Sequence, residues 1–98
     1  GLSTCEANPF STVEARWPQN RSLDEARAFV AGLPDAILRI KGQLQTPEGH
    51  WLLERTVDSM DCEPAAKGSL DSIVLIAHDD DEAALRKAKD ELARLHEP

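Results

Sequence analysis

The chain is short of cysteine, methionine, basic charge and long apolar runs, and each shortage narrows what it can be. Two cysteines in 98 residues, Cys5 and Cys62, are too few and too far apart to form a disulfide framework. The only methionine is Met60 and position 1 is glycine, so the chain reads as a processed or excised piece of something longer. Eleven Lys and Arg stand against 18 Asp and Glu, giving a net charge of −7 and a pI near 4.8. Nucleic-acid binding depends on clustered cations that release counterions, so no nucleic-acid partner is expected. No apolar run approaches the ~18 residues of a spanning helix, and no basic-apolar-small leader is visible. The expectation is a soluble, cytoplasmic protein without a membrane partner.

Catalytic signatures are missing too. There is no Gly-x-Ser-x-Gly elbow and no Gly-x-x-x-x-Gly-Lys-Ser/Thr loop, and neither cysteine has a histidine at a recognisable family spacing. The isolated chain is therefore not expected to be an enzyme. His50, His78 and His96 with Cys5 and Cys62 supply metal-ligating atoms, but not at the short fixed spacings of a metal site. No metal and no cofactor are expected in this chain; the rival readings are a stand-alone protein-interaction module, dimeric or not, that uses an exposed sheet edge for strand addition, and a small carrier using His50, His78 and Cys62. The acidic run from Asp79 to Glu82 lacks the spaced Asp/Asn and Gly of a calcium loop, and helix capping accounts for it.

What is present suits one domain: 41% hydrophobic residues in a chain of this length. Residues 1–9 are small and polar without periodicity, which predicts a flexible tail or linker before a single domain over 10–98. "FSTVEARW" reads as a first strand, ended by Pro18 and Asn20. In "RSLDEARAFVAGLP", Ser22 and Glu25 form a capping box, and Leu23, Ala26, Phe29, Val30 and Leu33 mark a helical stripe that Gly32 and Pro34 stop. "AILRIKGQLQ" alternates, with Ala36, Leu38, Ile40 and Leu44 on one parity. The turn residues of "TPEG" lead into a returning strand, "HWLLERTVDSM", where Leu52 and Val57 on opposite parities suggest a bulge. Residues 61–71 read as a loop with room for a short edge strand. "SIVLIA" is apolar on both parities, as in the middle of a sheet. Leu85, Ala88, Leu92 and Leu95 stripe a final helix that opens at the aspartates.

The fold class that follows is α+β: an antiparallel or mixed sheet of about four strands with two helices packed on one face, in the order β-α-β-β-β-α. The sharpest local pattern in it is Arg39, Lys41 and Gly42. Two cations two residues apart on one strand face suit an anion or an acidic surface, and the glycine permits close approach of another backbone. The plainer account is a solvated strand face paired across the hairpin with Glu54 or Asp58.

The order "ILRIKG", a hairpin containing Trp51, then "SIVLIAHDDDEAALRKAKDEL", resembles the C-terminal domain of the CobW family of P-loop GTPases. The resemblance runs from about Phe10 to Leu92, with Ser22 to Leu33 in the place of the helix preceding the Arg-x-Lys-Gly strand. The chain departs from it at Gln43, where the family tends to an apolar or aromatic residue, and at Ala77, where a glycine is common. The resemblance implies a non-catalytic accessory domain of a GTP-dependent metallochaperone. Its full-length protein would use GTP, magnesium and zinc or cobalt, and its partners would be the GTPase domain of the same protein and a metalloprotein client. Arg39, Lys41 and Gly42 would then be partner-binding residues.

Overall fold

A computed structural model of the chain describes residues 9–66 and 71–97. Residues 1–8, including Cys5 and nearly all of the expected tail, lie outside that range. The elements are β1 (Phe10–Ala15), α1 (Leu23–Ala31), β2 (Ile37–Thr46), β3 (Gly49–Thr56), β4 (Met60–Pro64), β5 (Ser72–His78) and α2 (Glu82–Leu95). Five strands make one sheet in the order β1-β5-β2-β3-β4, and every neighbouring pair is antiparallel. The α+β class holds, with five strands in place of about four. The added one is β4, a short edge strand for which the loop-like segment had room although Asp61, Glu63 and Pro64 depress its strand propensity; among the described residues it pairs only with β3. β2, rather than β5, is the middle strand.

The local signals of α1 act as read. Ser22 Oγ accepts from the Glu25 N–H at 3.1 Å and the Glu25 carboxylate accepts from the Ser22 N–H, closing the capping box. Ala26, Val30 and Leu33 are buried. α2 starts differently from its expectation. Asp79–Asp81 form a short 3-10 turn, and Asp81, at the N-cap, makes no side-chain capping bond. Asp79 instead ties the chain to β1: its carboxylate accepts from the Ser11 hydroxyl, and its N–H donates to Pro9 O at 2.7 Å.

One core forms where both helices meet one face of the sheet. Ile40, Leu44, Leu53, Ile73, Leu75 and Ala77 face Ala26 and Val30 of α1 and Leu85, Ala88 and Leu92 of α2. Each fully buried aliphatic side chain contributes roughly 1.5–3 kcal/mol relative to exposure. Trp17, just past β1, is 1% exposed and donates its indole N–H to Arg21 O at 3.2 Å. In β2 the expected alternation breaks: between Ile37 and Arg39 the register against β5 slips, with Ile37 opposite Ala77 and Arg39 opposite Ile76. The extra residue is Leu38, a β-bulge that turns Ile37 into the core at 0% exposure. The bulge thus sits in β2, whereas Val57, which suggested one in β3, lies beyond that strand and is exposed.

Candidate functional site

No helix among the described residues is long and apolar enough to cross a membrane. The sheet has a second face that neither helix covers. Alternation from the core-facing residues places Arg39, Lys41, Gln43 and Gln45 of β2 there. Their neighbours are Glu54, Leu52 and His50 on β3 and Ile76, Val74 and Ser72 on β5. Leu52, Val74 and Ile76 are half-buried, so the face is apolar along its middle and charged to one side.

Arg39 and Lys41 differ in what they touch. Arg39 stands opposite Thr56 and reaches diagonally to Glu54, whose carboxylate it holds in a short charge-assisted hydrogen bond. That hydrogen bond from Arg39, reinforced by the charges of Arg39 and Lys41, lowers the pKa of Glu54 below its ordinary value. Lys41 is directly opposite Glu54 yet has no ion pair among the described residues. Asp58, the other expected partner, is exposed in the turn after β3. One carboxylate is therefore shared by two cations, and Arg39 takes the contact. Beside Lys41, a shallow cavity of about 180 Å3 opens between β2 and β5, lined by Lys41, Gln43, Ser72 and Val74 with the Gly42 backbone.

Gly42 touches this surface only through its backbone. It alternates to the helix-covered face, buried opposite Leu53 and Ile73. A Cβ added there would meet Ile73 Cγ1 at 3.0 Å and Leu44 Cδ2 at 3.4 Å. The close approach that a glycine allows at this position is made by side chains of the same domain.

The atoms of the metal-carrier reading do not converge. His50 sits on the open face opposite Gln45, and His78 follows Ala77, which pairs with Ile37 at the other end of β2. Eight positions of β2 separate those ends, about 25 Å of strand. Cys62 shares the core-facing side with Leu53, its partner across β3 and β4. Burial pushes its thiol above the ordinary range, which favours the protonated form that does not bind metal. No group of three or more His, Cys, Asp or Glu fit to hold a metal ion occurs among the described residues. The described residues therefore do not fit the zinc or cobalt that the resemblance attaches to the full-length protein.

Arg55 escaped the reading of the sequence. It is 7% exposed on the core-facing parity of β3, and its guanidinium donates to Pro34 O at 3.3 Å and to the Asp35 carboxylate at 3.5 Å. It ties β3 to the loop between α1 and β2. The signal was available in its spacing, since it shares a parity with Leu53.

Neither a protein-family model nor a curated protein matches the sequence. Among solved structures, the fold is similar to the Zn(II)-bound YjiA GTPase from E. coli, with a TM-score of 0.60 and 19% identity, over 91% of this chain and 31% of that one. A Zn(II)-bound triple mutant of YjiA GTPase gives the same TM-score at 20% identity, over 87% of this chain and 30% of that one. At such identities the likeness is one of fold. The chain spans less than a third of the proteins it is similar to.

Proposed function

We propose that this chain is the C-terminal accessory domain of a CobW-like, GTP-dependent metallochaperone, and that it docks through its open sheet face onto the GTPase domain or a client protein. The observation that carries the proposal is the fit of 91% of the chain onto 31% of a zinc-bound GTPase. A GTPase bound to zinc is also the pairing of properties that the Arg-x-Lys-Gly resemblance implies. In this reading GTP, magnesium and zinc or cobalt are held by the remainder of the full-length protein. The domain itself is non-catalytic.

The open face has the composition that docking requires. Its apolar middle loses water on contact, and Lys41, which has no ion pair among the described residues, gains a carboxylate at no cost to a bond seen there. Arg39 would have to share or release Glu54. Lys41 is accordingly the stronger anchor, and Gly42 serves the site only by letting β2 pack closely from behind.

The test is calorimetric titration of the chain against the GTPase domain encoded in the same reading frame, beside titrations against zinc and cobalt. Lys41→Glu is expected to weaken docking by about tenfold, near 1.4 kcal/mol, and Arg39→Glu by less. Unchanged affinity in the double charge reversal, with the circular-dichroism spectrum intact, rejects this face as the docking surface. Tight one-to-one metal binding by the 98 residues alone rejects the accessory reading in favour of a metal carrier.

A further inference from the structure

The two edges of the sheet are not alike. At the two ends of the β3–β4 ladder, the Ala65 N–H donates to His50 O and the Thr56 N–H to Ser59 O. In an antiparallel ladder this alternation turns Asp61 and Glu63 inward to β3 and leaves the backbone groups of Met60, Cys62 and Pro64 pointing outward. Pro64 has no N–H to offer, and the two carboxylates flank the edge, so β4 resists an added strand. β1 carries one carboxylate, Glu14, and no proline, and among the described residues no strand pairs with its outer side. The bond from Asp79 N–H to Pro9 O fixes its alternation: Ser11, Val13 and Ala15 bond to β5, while Thr12 and Glu14 direct both N–H and C=O away from the sheet. The next carbonyl in that row, Arg16 O, accepts from His96 Nε2 at 2.7 Å, which closes the row at the end of α2.

Beside this edge lies an open hollow of about 320 Å3 between the end of β1 and the last turns of α2. Ala15, Leu92 and Ala93 floor it, and Arg16, Lys89 and His96 rim it. Arg16 and Lys89 are exposed, and neither enters an ion pair among the described residues. Two unpaired cations at one apolar hollow are distinctive in a chain of net charge −7. They select an acidic partner.

We propose that β1 and this hollow form a strand-addition site for an extended acidic peptide segment of another protein. The segment pairs antiparallel with β1 through Thr12 and Glu14, and its residue opposite Ala15 lies on the helix side of the sheet, over the hollow, where an apolar side chain fits. Because the added strand runs opposite to β1, the residues preceding that anchor lie toward Arg16 and Lys89. The recognised pattern is one or two acidic residues followed by an apolar anchor and a second apolar residue two positions on, opposite Val13. A second copy of this chain is a poor occupant, since pairing centred on Val13 sets the two Glu14 carboxylates diagonally on one face and joins two chains of charge −7. The site is independent of the open sheet face and stands whether or not the chain serves a GTPase.

The probe is a fluorescein-labelled hexapeptide, Asp-Glu-Leu-Thr-Val-Thr, compared with Lys-Lys-Leu-Thr-Val-Thr by fluorescence anisotropy, with amide shifts of the protein followed by NMR. The acidic peptide is expected to bind about tenfold tighter than the basic one and to move the Thr12 and Glu14 amides. Thr12→Pro removes an outward donor without touching the bonds to β5, and is expected to lose about tenfold or more. Lys89→Glu, on the exposed side of α2, is expected to abolish the preference for acid and covers the case in which the proline disturbs folding. No saturable binding up to about 1 mM overturns the proposal. So does binding that survives Thr12→Pro with β5 amides unmoved, or an acid preference that survives Lys89→Glu. A mass that rises with protein concentration, with the same amides moving in the absence of peptide, assigns the edge to self-association and overturns it as well.

Discussion

Gly42→Ala separates the internal role of this glycine from any role at a partner. The new Cβ would lie 3.0 Å from Ile73 Cγ1 and 3.4 Å from Leu44 Cδ2, where ordinary carbon contacts are about 3.5–4.0 Å. Both neighbours are buried, Ile73 at 3% and Leu44 at 3% exposure, and Ile73 is β-branched and stiff at χ1. Overpacking of this kind costs about 1–3 kcal/mol, against roughly 0.5–1 kcal/mol regained because alanine loses less backbone freedom than glycine. The net expectation is a loss of about 1 kcal/mol, a fall in Tm of roughly 4–8 °C for a domain of this size. Gly42→Val should cost more. Denaturant unfolding of Gly42→Ala, Ile73→Ala and the double variant measures the contact directly. Removing Ile73 Cγ1 leaves room for the new methyl, so the double variant should be more stable than the sum of the single losses by about 1 kcal/mol. A Gly42→Ala protein as stable as the parent, with no coupling to Ile73, would refute the reasoning and return Gly42 to the list of residues reserved for a partner.

Leu75, 0% exposed between the sheet and the helices, is expected to lose about 3–4 kcal/mol as Leu75→Ala, read from the shift of the denaturation midpoint. Ser22→Ala removes the cap of α1 and should cost about 1 kcal/mol in the same assay. The pKa of Glu54 is held below its ordinary value by Arg39, so its contribution to stability is present above the unfolded value and is lost as pH falls through the folded one. Arg39→Ala should move the Glu54 carboxyl signal back up in an NMR titration and flatten the acid limb of stability against pH; an unmoved titration would contradict the ion pair. Cys62, its thiol raised by burial, should react with a disulfide reagent at pH 8 more slowly than a free peptide cysteine, and equal rates would argue against its burial.

The elements that the sequence announced are those whose signals are local. The capping box of Ser22 and Glu25 and the stripe of Leu85, Ala88 and Leu92 depend only on neighbours within a turn or two, and both survive in the fold. Arg39, Lys41 and their candidate partner Glu54 were legible for the same reason, because a tight hairpin sets the register of its two strands. The bulge at Leu38 was not, because it is a property of β2 against β5, and nothing near residue 38 names the residues Ile76 and Ala77, far along the chain, that impose it. β4 was obscured by residues that protect an edge, which are by nature those that discourage a strand assignment. Gly42 was placed with the cations because they are adjacent in sequence, although strict alternation already sends it to the other face. The hollow by Lys89 joins β1 to α2 across most of the chain, and no spacing rule reaches that far.

The insertion of β5 between β1 and β2 has a consequence for how the chain comes into being. The meander of β2, β3 and β4 is joined by short turns and can pair as soon as it leaves the ribosome, whereas Phe10 must wait for His78, 68 positions later. At ordinary rates of synthesis that delay is roughly 3–14 s. Throughout it β2 keeps one side unpaired and β1 has no partner at all. The first strand of the sheet to be made is among the last to be secured, and until Ser72 and the residues after it are made, β1 and β2 each expose the edge that β5 comes to fill.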